Sequence, residues 1–322
     1  MRYVEVAGVR LSAVGLGCWQ FGSSDWDYGD QYGETTAAEL VRRALDLGVN
    51  LIDTAEVYAR GVSEAIVGRA LGDRRSEAFV ATKLLPVWPT AGRTYEHGRL
   101  SRLRLGIDAI DLYQVHAPNP AVPVRSTMDG MRRLLDDGII RHVGVSNFSA
   151  DQWRAAEAAL SAPVLSNQVQ YNLLFRKHED RNLHHAQAND RLLIAYSPLA
   201  KGILGGRYDA TNIPTGSARR SDPRYLPENL ERATPLIEAL RRISATHDAT
   251  PAQVALAWLL RRPNVVVIPG ASSVEQLERN VAAADLELAA EEDRELTDAS
   301  DRYEPLGPTA TARGLLAGRL RR

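Results

Sequence analysis

The sequence predicts an α/β protein folded as a (β/α)8 TIM barrel with an N-terminal β-hairpin. Three observations predict it. Eight short apolar, β-rich runs alternate with longer amphipathic runs, the order that parallel strands joined by right-handed crossovers produce. Most of the eight lack strict polar alternation, as strands covered on both faces do. No linker or shift in composition divides the 322 residues. That absence favours one domain over 1–322 against a doubly wound sheet carrying a second domain.

Taken in order, Tyr3 to Val6 and Val9 to Ser12 flank Ala7-Gly8 and read as the hairpin. The first barrel strand is Ala13 to Gly17. From Thr36 to Leu47 the residues Ala37, Leu40, Val41, Ala44 and Leu47 form one apolar helical stripe. Asn50 to Thr54, Phe79 to Lys83 and Ile110 to His116 are the next strands. Arg125 to Asp136 repeats the helical stripe with Met128, Met131, Leu134 and Leu135, and Gly138 supplies a stop. His142 to Asn147 is the fifth strand, and Ser149 caps the helix that follows. Leu165 to Tyr171 and Leu192 to Ser197 are the sixth and seventh. Lys201 to Glu228, irregular and containing Gly, Pro and Arg, reads as a long βα loop. Thr250-Pro251 opens a helix through Leu260 as N-cap and first-turn proline. Val265 to Pro269 is the eighth strand, and Ser273 to Ala284 the helix after it. Glu291 to Glu295 reads as a solvated helix face.

Composition narrows the function. Lys and Arg total 39 against 40 Asp and Glu, leaving no excess of positive charge for a nucleic-acid partner. Cys18 is the single cysteine, which excludes an internal disulfide and a cysteine-built metal site. Met1 to Gln20 lacks the basic start and apolar core of a signal peptide, and no run reaches the ~18 apolar residues of a membrane span. The expectation is a cytoplasmic protein without a membrane partner.

In a (β/α)8 barrel the working face lies at the C-terminal ends of the strands. There the sequence places Asp53, Lys83, His116, Ser146-Asn147, Asn167-Gln168 and Tyr196-Ser197, each closing an otherwise apolar run. Polar residues often terminate strands for no further reason, but six consecutive strands presenting them to one rim is a pattern of its own. Asp53 and Lys83, on adjacent strands, can pair and keep the ammonium charged. That charge beside Tyr58 stabilises phenolate and is expected to lower a pKa that starts near ~10. Such a tyrosine can protonate a carbonyl oxygen, and the His116 imidazole can orient it. The set suits carbonyl reduction or alcohol oxidation, and lacking a hydride donor it implies a nicotinamide cofactor.

At these residues the sequence resembles the aldo-keto reductase superfamily over nearly its whole length. Asp53-Thr54-Ala55-Glu56-Val57-Tyr58 is similar to the family's D-T-A-x-x-Y segment, and Thr82-Lys83 and Val115-His116 match two further catalytic positions. The resemblance implies a tetrad of Asp53, Tyr58, Lys83 and His116, with Tyr58 as general acid/base. It implies that Ser146, Asn147 and Gln168 hold the nicotinamide carboxamide and that Tyr196 stacks on the ring. Ser197, Pro198, Leu199 and Gly202 fall in the segment covering the pyrophosphate, and Gly17, Cys18, Trp19 and Asp53 are expected against the cofactor as well. Trp19, Trp26 and Trp88, with Tyr58 and His116, are the expected substrate pocket.

One departure concerns cofactor choice. Some branches place a Lys after the proline of the last strand to grip the 2′-phosphate; here that position is Gly270, and Ala271-Ser272-Ser273 follows without a base. Ser272, Ser273, Gln276, Arg279 and Asn280, with the amides of their helix, remain available. The expectation is NADP(H) as cofactor and a small carbonyl compound as substrate. The rival from another class is a cofactor-binding regulatory subunit resembling channel β-subunits, with little turnover. A metal-dependent barrel hydrolase is disfavoured, because His116 is the only strand-end histidine and no metal site is expected.

Overall fold

Residues 1–23, 34–214, 219 and 222–307 are described by a computed structural model of the chain. Strands β1 (Tyr3–Val6) and β2 (Val9–Ser12) form the antiparallel hairpin in the register Tyr3↔Ser12 to Val6↔Val9. Its two-residue turn has positive φ at both Ala7 and Gly8, the twist that matches flanking strands. Val6 and Leu11 of the hairpin pack with Leu51, Leu112, Leu165 and Leu192 from the start and interior of the barrel strands. The hairpin therefore plugs the N-terminal end of the barrel and leaves the other end to the site.

The barrel strands are β3 (Leu16–Gly17), β4 (Leu51–Asp53), β5 (Phe79–Leu84), β6 (Ile110–Val115), β7 (Ile140–Ser146), β8 (Ser166–Gln170), β9 (Leu192–Tyr196) and β10 (Val265–Val267). Each pairs in parallel with the next in chain order. The ring is closed by a parallel bridge from Val14 to Val267, with Gly15 N donating to Val267 O at 2.8 Å. The predicted strand Ala13 to Gly17 thus divides its pairing, its first half against β10 and its second against β4. A side chain at Gly17 would place its Cβ 2.7 Å from the Ile268 carbonyl oxygen, so only glycine allows the two edges to approach there.

Around the sheet lie α1 (Glu34–Asp46), α2 (Val62–Leu71), α3 (Ala91–Leu105), α4 (Val124–Asp136), α5 (Ala150–Leu160), α6 (His184–Ala188), α7 (Pro227–Thr246), α8 (Pro251–Leu260), α9 (Val274–Ala282) and α10 (Ala290–Asp301). The expected caps are present: Ser149 Oγ accepts from Gln152 N at 3.2 Å and Thr250 Oγ1 from Gln253 N at 3.3 Å, each in a reciprocal capping box. The sequence did not reveal α3, because its buried face is Thr94, Gly98, Ser101 and Leu105 and carries almost no apolar periodicity. Nor did it reveal α7, which contains Pro235. The predicted loop from Lys201 to Glu228 carries 3-10 turns at Ala200–Gly205 and Pro223–Tyr225, Arg219 is helical, and α7 begins at its end. Among the described residues, no helix is long and apolar enough to cross a membrane.

Candidate active site

Asp53 is the last residue of β4, and Lys83 lies in β5, whose Ala81 is its register partner. Both side chains are buried, with relative exposures of 1% for Lys83 and 3% for Asp53. Lys83 Nζ donates to Asp53 Oδ1 at 2.5 Å, to the Thr54 carbonyl at 2.8 Å and to the Tyr58 hydroxyl at 3.2 Å. An ammonium has three protons, and all three are placed. The other carboxylate oxygen of Asp53 accepts from Gln168 Nε2 at 2.7 Å and from Gln114 Nε2 at 3.3 Å. The buried ion pair is thus fully hydrogen-bonded, the condition under which such a pair is tolerated.

Burial alone would pull the Lys83 pKa down, but Asp53 and the Tyr58 oxygen outweigh it, and the pKa is raised above its ordinary value. Tyr58 departs from the sequence expectation. Burial raises its hydroxyl pKa by more than the Lys83 charge lowers it, and Asp53 adds to the rise, so the phenol is held protonated. His116, one residue past β6, is pushed down to about 3 by burial and then by Lys83, so its imidazole is neutral at ordinary pH. Its Nδ1 is buried and has no hydrogen-bond partner among the described residues. The rings of Tyr58 and His116 meet edge to face with centroids 6.0 Å apart, and Trp19 lies 6.4 Å from Tyr58. Burial likewise raises the Cys18 thiol well above its usual pKa, which makes it an inert part of the wall.

A cavity of about 980 Å³ opens at the C-terminal end of the barrel, and Tyr58, His116 and Asp53 line it. Gly17, Cys18, Trp19, Ser146, Asn147 and Gln168 line it too, as do Tyr196, Ser197, Pro198, Leu199, Gly202, Gly270 and Gln276. Ser146 Oγ donates to the Gln168 carbonyl at 2.8 Å. Asn147, held at φ 60°, donates to the His116 carbonyl at 3.0 Å and accepts from the Tyr196 hydroxyl at 3.0 Å.

Other predicted residues stand outside that wall. Ser272 donates its N and Oγ to Gln276 Oε1, both at 2.8 Å, and Ser273 caps α9. Asn280 Nδ2 ties the Gly270 carbonyl at 3.3 Å, and Arg279 is exposed on α9. Trp88 is 56% exposed on the loop after β5. Trp26 lies outside the described residues.

Five polar residues of the wall were missed in the sequence: Gln20, Ser23, Arg60, Lys201 and Arg219. Gln20 Nε2 donates to the Ala271 carbonyl at 3.1 Å. Lys201 pairs with Asp222 at 3.0 Å and sits 5.5 Å over the Trp19 ring. Asp222, shared with Arg224, is lowered to about 2 in spite of its burial, because Arg224 and Lys201 favour its charged form. Only the position of Arg60, two residues beyond Tyr58, could have drawn attention.

The model of the Aldo/keto reductase family matches residues 13–301. The chain belongs to this family. The match begins where the hairpin ends and stops with α10, so it takes in the whole ring of this aldo/keto reductase and leaves outside its N-terminal plug and the residues after 301. An uncharacterized oxidoreductase of Mycobacterium tuberculosis is 51% identical over 307 residues, 95% of each chain. Among solved structures, a glycerol dehydrogenase of Gluconobacter oxydans superposes with a TM-score of 0.85 at 29% identity, covering 95% of this chain and 98% of its own. An aldo-keto reductase of Klebsiella pneumoniae in complex with NADPH superposes at 0.75 with 27% identity, covering 95% and 97%. The family is one of oxidoreductases, and the eight-stranded parallel ring with its hairpin agrees with these neighbours.

Proposed function

We propose that this aldo/keto reductase reduces aldehyde or ketone carbonyls to alcohols with NADPH, and that Tyr58 is the acid. The observation that carries the reading is the Lys83 ammonium 3.2 Å from the Tyr58 hydroxyl, on a buried ion pair beneath a cavity that His116 also lines. The NADPH complex of the Klebsiella neighbour supports the choice of cofactor.

The donor set suits a nicotinamide carboxamide, which needs one acceptor and one donor. Gln168 has committed Nε2 to Asp53 and keeps Oε1 as an acceptor. Ser146 and Asn147, joined by a hydrogen bond from Asn147 Nδ2 to Ser146 Oγ, would supply hydroxyl and amide groups beside it. When bound, NADPH supplies a hydride to the carbonyl carbon.

Tyr58 gives its proton to the carbonyl oxygen as negative charge develops there. A pKa held above the ordinary value keeps that proton in place at neutral pH, and Lys83 stabilises the phenolate left behind. Neutral His116 directs a ring nitrogen at the same oxygen and fixes its position. Asp53 holds Lys83 charged and fixes its reach.

The test follows NADPH oxidation with a panel of aldehydes and quinones, and NADPH binding in parallel. Tyr58→Phe is expected to cut turnover by about 10²-fold or more while the Kd for NADPH stays within about twofold. Turnover like that of the wild type in this variant would end the acid assignment. Tight NADPH binding with no turnover on any carbonyl would favour a cofactor-binding regulatory role.

A further inference from the structure

The segment that follows Tyr58 is unusual. Ala59 (φ 46°, ψ 36°) and Arg60 (φ 55°, ψ 44°) are both left-handed, and Gly61 continues with φ 88°. Two consecutive non-glycine residues adopt this conformation only where their surroundings impose it. Here both sides of the turn are fixed. A Cβ at Gly22 would lie 2.7 Å from Val62 Cγ1 and 3.3 Å from Ala59 Cβ, so the loop after β3 presses directly on the turn. On the other side a Cβ at Gly61 would lie 2.6 Å from Arg104 Cδ, and Arg104 is itself held by Glu64 at 2.5 Å. The turn is a built feature, and it carries Arg60 into the wall of the Tyr58 cavity.

The charges of that wall are unequal. Asp53 is its one carboxylate among the described residues, and Lys83 neutralises it. Lys201 is matched by Asp222. Arg219 donates to the Lys201 carbonyl at 3.2 Å. Arg60 lines the cavity and is exposed, and its guanidinium makes no hydrogen bond or ion pair among the described residues.

We infer that Arg60 is a specificity-determining residue that captures the carboxylate of an anionic carbonyl substrate, so that this reductase prefers aldehydes or ketones carrying an acidic group over their neutral counterparts. A planar guanidinium can pair a carboxylate with two parallel hydrogen bonds, and the strained turn ties the backbone of Arg60, a residue of the cavity wall, to that of Tyr58. Trp19, 42% exposed beside Tyr58, offers an apolar face for the part of the substrate between the two groups.

The inference rests on the carbonyl-reductase reading, and the test separates the two. The NADPH-loaded enzyme is assayed with 4-carboxybenzaldehyde and with its methyl ester, in the wild type, Arg60→Gln and Arg60→Lys. The expected result is a wild-type kcat/KM ratio, acid over ester, that falls about tenfold in Arg60→Gln and much less in Arg60→Lys. In the wild type that ratio is expected to fall as salt rises, since an exposed charge is screened, and this reads the same contact should a variant fail to fold. The Kd of 4-(hydroxymethyl)benzoate, followed by quenching of tryptophan fluorescence without turnover, is expected to weaken about tenfold in Arg60→Gln. A ratio and a Kd that both stay within twofold of the wild type overturn the inference. So does a weakened Kd for NADPH with the ratio unchanged, which would make Arg60 a cofactor contact. Reduction of neither aldehyde by the wild type counts against the reductase reading instead, and the Kd series still decides the role of Arg60.

Discussion

Gln168 on β8 donates from Nε2 to Asp53 Oδ2 on β4 at 2.7 Å, joining strands on opposite sides of the ring. One end of the glutamine thus steadies the carboxylate that anchors Lys83, and the other end is left for a ligand. The residue expected to hold the cofactor and the ion pair expected to support Tyr58 form one hydrogen-bonded unit.

That link predicts that Gln168→Leu lowers kcat as well as cofactor affinity, each by about tenfold, since Asp53 loses a close charged hydrogen bond. Gln114, whose bond to the same oxygen is 3.3 Å, is the comparison. Gln114→Leu is expected to change kcat by less than about threefold, because a long bond contributes little. Steady-state rates and NADPH titrations on both variants check this. Equal losses in the two would show that Gln168 acts only through packing.

The imidazole of His116 predicts an acid-sensitive stability. Its pKa of about 3 in the folded chain lies well below the ordinary value of 6.5, so between those values the unfolded chain binds the extra proton. Stability attached to this histidine is therefore full above pH 6.5 and is lost as pH falls toward 3. Between pH 7 and pH 5 the wild type is expected to lose on the order of 2 kcal/mol through this group. In His116→Asn the same interval should cost correspondingly less. Urea unfolding at the two pH values measures both, and equal losses in the two proteins would show that the imidazole is not buried as described.

Much of this was legible in the sequence for identifiable reasons. Asp53, Lys83 and His116 stand where apolar runs end, and in a parallel barrel the end of a strand is the rim. Ser149 and Thr250 announce their helices because a cap is a local hydrogen bond between near neighbours. What stayed hidden was tertiary. The buried side of α3 is made of Thr94, Gly98 and Ser101, and Gly98 leaves room for Leu134 of α4, a fit that leaves no apolar stripe. Alanine and arginine carry no signal for the left-handed turn at Ala59 and Arg60, which Gly22 and Arg104 impose from elsewhere in the chain. The direction of the Tyr58 shift depended on how deeply its hydroxyl is buried, and residue types alone say nothing of that.

The last prediction concerns the cofactor's 2′-phosphate. Five residues in or just before α9 are expected to receive it, and the structure ranks them; Asn280 is buried and tied to the Gly270 carbonyl. Ser272 spends both its N and its Oγ on Gln276 Oε1, and Ser273 Oγ accepts from Gln276 N at 3.3 Å. A phosphate reaching those groups would have to replace bonds already made, which reduces what each can add. Arg279 is exposed on α9, and its guanidinium has no hydrogen-bond or ion-pair partner among the described residues. It carries a full charge in a shape that fits phosphate, so it should contribute most of the preference. The wild type is expected to bind NADPH about tenfold more tightly than NADH, and Arg279→Ala to lose most of that ratio with little change toward NADH. Rising salt should erode the preference in the wild type and hardly alter it in the variant, because an exposed charge is screened. Fluorescence titrations of both cofactors give the four constants. Equal affinity in the wild type would remove the preference for NADPH altogether. A preserved ratio in Arg279→Ala would instead shift the phosphate onto Ser272, Gln276 and the amides of α9.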